Sequence, residues 1–103
     1  MTIKDAYTTM YHILDSYFVR HNQNNSLASL LSDMDPYVFS DGKAADMATY
    51  DDWYSVVSGF AKDGEIPEDD ITTALKAFLT YYHEEFGYDL KDAIEFVASM
   101  EER

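Results

Sequence analysis

The chain is expected to be all-α, a compact bundle or orthogonal array of about five helices forming a single domain over residues 1–103. Three observations point there. Apolar residues recur at three- and four-residue intervals along five stretches, and no segment sustains the alternation of a half-buried strand. Only two prolines and four glycines interrupt the chain, so regular elements can run long. The apolar share of 47% suits a chain that builds a core, and is too high for a disordered one.

The first helix is predicted from Ile3 to about Arg20, with Ile3, Tyr7, Met10, Tyr11, Leu14, Tyr17 and Phe18 on one stripe. Thr2 stands at its N-cap with Asp5 three residues on, and the polar run His21-Asn22-Gln23-Asn24-Asn25 ends it. A short second helix, capped by Asn25 or Ser26, buries Leu27, Leu30, Leu31 and Met34. Pro36 opposes its continuation and Asp41-Gly42 marks a turn. The third helix is predicted from Asp46 to about Lys62, with Met47, Tyr50, Trp53, Tyr54, Val57 and Phe60 on its apolar side, and Asp63-Gly64 stops it.

Ile66-Pro67-Glu68-Asp69-Asp70 reads as a helix start, because proline is tolerated in the first turn and acids face the positive end of the dipole. This fourth helix carries Ile71, Leu75, Phe78, Leu79, Tyr82 and Phe86, with Gly87 as its C-terminal cap. Asp89 is expected to cap the fifth, whose stripe is Leu90, Ala93, Ile94, Val97 and Met100. Helices one, three and four are expected to supply the core, with the second and last closing its sides. No repeat and no low-complexity linker divides the chain.

Twenty acidic against seven basic residues give a net charge of −13. Such an excess repels phosphate and anionic lipid, so neither direct nucleic-acid binding nor membrane attachment is expected. It attracts basic partners and speeds encounter with them. The charge is concentrated in the middle, where residues 32–72 hold eleven acids against Lys43 and Lys62. No apolar run approaches a membrane span, and the N-terminal stretch is polar and acidic too early for a signal peptide. Cysteine is absent, which rules out disulfides and thiolate metal sites and suits a cytoplasmic location.

Catalytic and metal-binding patterns fail on spacing. His83-Glu84-Glu85 starts like HExxH, but Gly87 stands where the second histidine must share the helix face. No glutamate lies three residues before His12, His21 or His83, as a helical di-metal site needs. His12 and Asp15 share a face, which suggests a polar-edge hydrogen bond, and His21 a solvated helix end. An EF-hand turning at Gly42 would need oxygen ligands at Tyr37 and Phe39, and one at Gly64 would need them at Gly59 and Ala61. An irregular site in the central loop stays open. No GxSxG, phosphate loop or SxxK occurs. An enzyme is not expected, nor is a resident cofactor or metal.

Many acids have ordinary explanations. Asp46 and Asp89 serve as caps, Glu68, Asp69 and Asp70 face a helix dipole, and Glu84, Glu85, Glu95, Glu101 and Glu102 are solvated helix positions. Asp33, Asp35, Asp41, Asp51, Asp52, Asp63 and Glu65 are left over. A charge run is commonly no more than a solvated surface. This one is one-sided and interleaved with aromatics, in a chain holding nine tyrosines, six phenylalanines and one tryptophan. Tyr37, Tyr54, Tyr81 and Tyr88 are the tyrosines hardest to bury, and tyrosine is a favoured interface anchor.

The run Leu30-Leu31-Ser32-Asp33-Met34, then Asp41-Gly42 and Ala45-Asp46 before Asp52-Trp53, resembles a pattern in small uncharacterised bacterial proteins. In size, acidity, helical character and lack of cysteine the chain also resembles toxin-immunity proteins. That resemblance implies neutralisation of a basic toxin by covering its active surface. The motifs of the colicin-DNase immunity family are absent, so no functional residues carry over.

The expectation is a non-enzymatic binding protein, an immunity protein or inhibitor of a basic protein partner. Asp33, Asp35, Tyr37, Asp41, Asp51, Asp52 and Tyr54 are the expected contact residues, the acids steering encounter and the tyrosines holding the complex. The alternative is a structural or regulatory homodimer that buries the aromatics against a second copy.

Overall fold

The computed structural model describes residues 1–21 and 24–101. Asn22 and Gln23 of the expected helix-ending run, and Glu102, lie outside them. The described residues form α1 (Ile3–Arg20), α2 (Asn25–Met34), α3 (Met47–Val57), α4 (Ile71–Glu85) and α5 (Lys91–Glu101), with 3-10 turns at Ser58–Phe60 and Glu68–Asp70. The protein is an all-α bundle. Among the described residues there is no strand, only the isolated bridges Thr2–Glu65 and Lys62–Glu65.

Side chains close the starts of α1, α2 and α3. Thr2 accepts the Asp5 amide at 3.1 Å, and Asp46 accepts the Ala48 amide at 2.9 Å. For α2 the cap is Asn24, one residue before the expected pair, and its Oδ1 accepts the Leu27 amide at 2.9 Å. α3 ends at Val57 rather than near Lys62. Ser58 and Gly59 are poor helix formers, so the last turn tightens to 3-10 and the Ala61 amide reaches the Ser58 carbonyl at 3.1 Å.

The Asp63-Gly64 turn has φ of 55° and 80°, and it pairs Lys62 with Glu65 through two main-chain bonds. This places the Ile66 amide 2.8 Å from the Met1 carbonyl, stitching the start of α1 to the entry of α4. Gly87, with φ of 71°, follows α4 as expected. Asp89 does not cap α5. The Leu90 carbonyl accepts the Ile94 amide at 2.9 Å, while Asp89 is bonded to the start of α2 through Ser26 and Asn24.

α4 is the central element, with α5, α3 and α1 all packed against it. Its Ala74, Leu75, Phe78 and Leu79 are fully buried beside Tyr7, Met10 and Leu14 of α1, Trp53 and Val57 of α3, and Val97 of α5. α5 packs on α4 more extensively than α1 or α3 does, so it contributes to the core rather than merely closing a side. α2 adds Leu27, Leu30, Leu31 and Met34, the four residues expected of it. Among the described residues no helix is long and apolar enough to cross a membrane.

Candidate partner-binding surface

The connection between α2 and α3 is held by its own aspartates. Asp35 Oδ1 accepts the Tyr37 amide at 2.9 Å, and Asp41 Oδ1 accepts the Lys43 amide at 2.9 Å. Each carboxylate bonds the backbone two residues on, the habit that makes aspartate a turn former. The Asp46 amide donates to the Asp33 carbonyl at 3.0 Å, tying the end of the connection to its start.

The connection lies on a layer of aromatic rings. Tyr7 of α1 donates its hydroxyl to the Met34 carbonyl, and its ring meets Tyr50 edge-on at 5.2 Å and Trp53 at 4.8 Å. Tyr50 stacks on Tyr54 at 6.5 Å, and the Lys43 ammonium sits 5.4 Å from the Tyr50 ring centre. At the α1 side, the Tyr37 hydroxyl lies 2.6 Å from His12 Nε2 and its ring meets Tyr11 edge-on at 6.3 Å. Gly42 has φ of 70°, and a β-carbon there would stand 2.9 Å from Lys4 Cε. The positive φ favours glycine there, and the end of the Lys4 side chain reaches up to it from α1.

Outward, this frame displays apolar surface. Tyr37, Val38 and Phe39 are 66%, 55% and 56% exposed, three in succession. Met47 and Tyr54 on α3 are 44% and 48% exposed. Single exposed apolar side chains are ordinary, whereas three in succession are the kind of surface a partner covers. Asp41, Asp46 and Asp51 are exposed on the same connection and helix.

Electrostatics keep the phenols neutral. Burial pushes the Tyr7 hydroxyl far above its ordinary range, with Tyr50 and Asp35 adding to the effect. Burial also raises Tyr11, helped by Asp35 and Asp15, and Tyr50, helped by Tyr54, Asp41 and Asp51. Burial first, and then Asp46, raise the Asp33 carboxyl. Tyr7, Tyr11 and Tyr50 thus hold their protons amid the acids.

The seven expected residues are divided. Tyr37, Asp41, Asp51 and Tyr54 are exposed on the connection and on α3. Asp35 is partly buried beneath the turn it holds, and Asp33 is partly buried on α2. Asp52 turns toward α4, where its Oδ2 accepts the Tyr82 hydroxyl at 2.9 Å. Sequence reasoning did not name Val38 and Phe39 as contacts, and it placed Met47 on the apolar side of the third helix, where the structure leaves it 44% exposed. An apolar triplet directly after Pro36, too short for a helix, was the available signal. His12 pairs with Tyr37 rather than forming the expected bond to Asp15.

Among the described residues no group of three or more histidines, aspartates and glutamates converges as metal ligands. No protein-family model matches the chain, and comparison with curated proteins and with solved structures finds no significant match.

Proposed function

We propose that this chain is a non-enzymatic binding protein that engages a basic protein partner through the α2–α3 connection and the exposed face of α3, and that it acts as an immunity protein or inhibitor in the cytoplasm. The observation that carries this reading is the exposed triplet Tyr37-Val38-Phe39, entered through the Asp35–Tyr37 turn and accompanied by exposed acids. A rigid apolar surface lowers the ordering cost of binding. The surrounding carboxylates supply long-range attraction that selects cationic proteins and raises the association rate. Five exposed apolar residues could also pair with a second copy, but a charge of −13 on each chain opposes it.

The test is affinity capture with the wild-type chain and with Phe39→Asp and Tyr54→Asp variants, at low and raised salt. A basic protein retained by the wild type, lost with either variant and inhibited in its own activity is the expected result. An association rate unchanged by Asp41→Asn with Asp51→Asn would remove the steering role. Equal retention by the variants would remove the surface.

A further inference from the structure

A second concave feature is unused by the α2–α3 surface. α1 turns Asp5, Thr9, His12 and Ser16 to one side, at three- and four-residue spacing over three turns, about 16 Å of helix. α5 faces it with Phe96 and Met100, and meets α1 where Phe96 packs on Tyr17 at 4.5 Å. Between them lies an open groove of about 950 Å³.

Its chemistry is two-sided. Met1, Ile13, Phe96 and Met100 are partly buried apolar lining residues, whereas Asp5 and Glu68 are exposed carboxylates on its rim. Among the described residues no lysine or arginine side chain lines it, and the cation at its edge is the Met1 ammonium. An anionic ligand would meet two carboxylates against one ammonium, itself already bonded to the Ile66 carbonyl at 2.9 Å, and a second copy of this chain would bring its own net charge of −13. An occupant that satisfies both parts must carry cations along an apolar side. The length of the α1 face matches a helix of about three turns, laid between two helices as amphipathic helices lie in grooves.

The groove also joins the surface described above. His12 lines it and, through Nε2, touches the Tyr37 hydroxyl at 2.6 Å. We infer that the α1–α5 groove seats an amphipathic, lysine- or arginine-bearing helix of the basic partner, its apolar side against Ile13, Phe96 and Met100 and its cations on Asp5 and Glu68. This rests on the proposed binding function and names the second half of its interface. One partner can lie across the connection at Tyr37 and enter the groove past His12.

The experiment is an amide NMR titration of the whole chain with a synthetic amphipathic leucine–lysine helix of about 18 residues, a length of roughly 27 Å that exceeds the groove. The same peptide with glutamate for lysine is the control. Shifts centred on Thr9, Ile13 and Phe96 are expected with the lysine peptide alone. Asp5→Lys with Glu68→Lys should weaken binding about tenfold, the loss of roughly two modest ion pairs. Asp5→Asn with Glu68→Gln is the milder pair, should the reversal disturb folding. Absence of binding, equal binding of both peptides, or shifts confined to Tyr37–Phe39 and Tyr54 would overturn the groove assignment. The last outcome would leave the α2–α3 surface standing. Groove shifts, with natural-partner capture indifferent to Phe39→Asp, would instead remove that surface and keep the groove.

Discussion

The Tyr82 hydroxyl donates to Asp52 Oδ2 at 2.9 Å, joining α4 to α3 across thirty positions of sequence. Thr49, one turn before Trp53, is buried on the same helix. Burial pushes the Tyr82 phenol well above its ordinary range, so it stays a donor. Tyr82→Phe should cost about 1–2 kcal/mol, because it leaves a partly buried carboxylate oxygen without its partner. Asp52→Asn should cost less, since an amide oxygen still accepts. Urea unfolding with an unchanged slope checks both, and a double variant costing the full sum would show that the two residues do not cooperate.

Trp53 is fully buried, and its indole N–H donates to Met10 Sδ at 3.2 Å. As the chain's one tryptophan, it should emit at short wavelength when folded and shift to the red on unfolding. Met10→Leu keeps the volume but removes the acceptor, at a cost of about 1 kcal/mol. Folded-state emission already at the solvent-exposed wavelength would contradict this placement.

Two glycines should respond oppositely to alanine. Gly42 has φ of 70°, and a β-carbon there crowds Lys4 Cε at 2.9 Å, so Gly42→Ala should destabilise by about 1 kcal/mol or more. Gly59 has no atom within 4 Å of a built β-carbon, and its backbone is not left-handed. Gly59→Ala should be neutral or stabilising by up to about 1 kcal/mol. Paired thermal melts decide it, and equal losses would place the Gly42 strain elsewhere.

Asp33 should make the protein more stable in mild acid than its other carboxylates would. Its carboxyl is raised in the folded chain, so the folded state binds the proton more readily than the unfolded one. The group is destabilising when ionised, and that penalty is relieved as pH falls through its raised value. Asp33→Asn should therefore raise the melting temperature slightly at neutral pH. It should also flatten the gain on mild acidification. A lower melting temperature in the variant at neutral pH would contradict the sign.

Added salt should raise the melting temperature of the wild type, because a net charge of −13 repels itself most strongly when unscreened. A melt at low and at raised sodium chloride checks this directly.

Local rules carried most of the fold. The stripe from Ile3 to Phe18 and the Thr2 cap predict α1 with its observed bounds, because spacing and capping act within one or two turns. The Asx turns at Asp35 and Asp41 lie equally within reach of local reasoning, since each acts two residues ahead. Asp89 looked like a cap, but what it contributes is its main chain, whose carbonyl and amide bond Asn24 and Ser26 across 65 and 63 positions. Asp52 looked like a surface acid because nothing near it in sequence announces Tyr82. The His12–Tyr37 contact spans 25 positions and depends on how the connection folds back over α1. Exposure of charge was legible from composition; which carboxylates the fold engages was not.

The pairing of Met1 with Ile66 spans 65 positions, whereas α4 and α5 are joined by a short connection. Closing the larger loop costs more chain entropy, by about 0.6 kcal/mol for each doubling of its length. The helical hairpin of α4 and α5 is therefore expected to form early, with α1 docking afterwards and completing the tyrosine layer last. The apolar triplet would then gain its rigid seat only in the final step. Substitutions at Tyr7 should speed unfolding more than they slow folding, and a refolding rate cut in proportion to the stability lost would reverse that order.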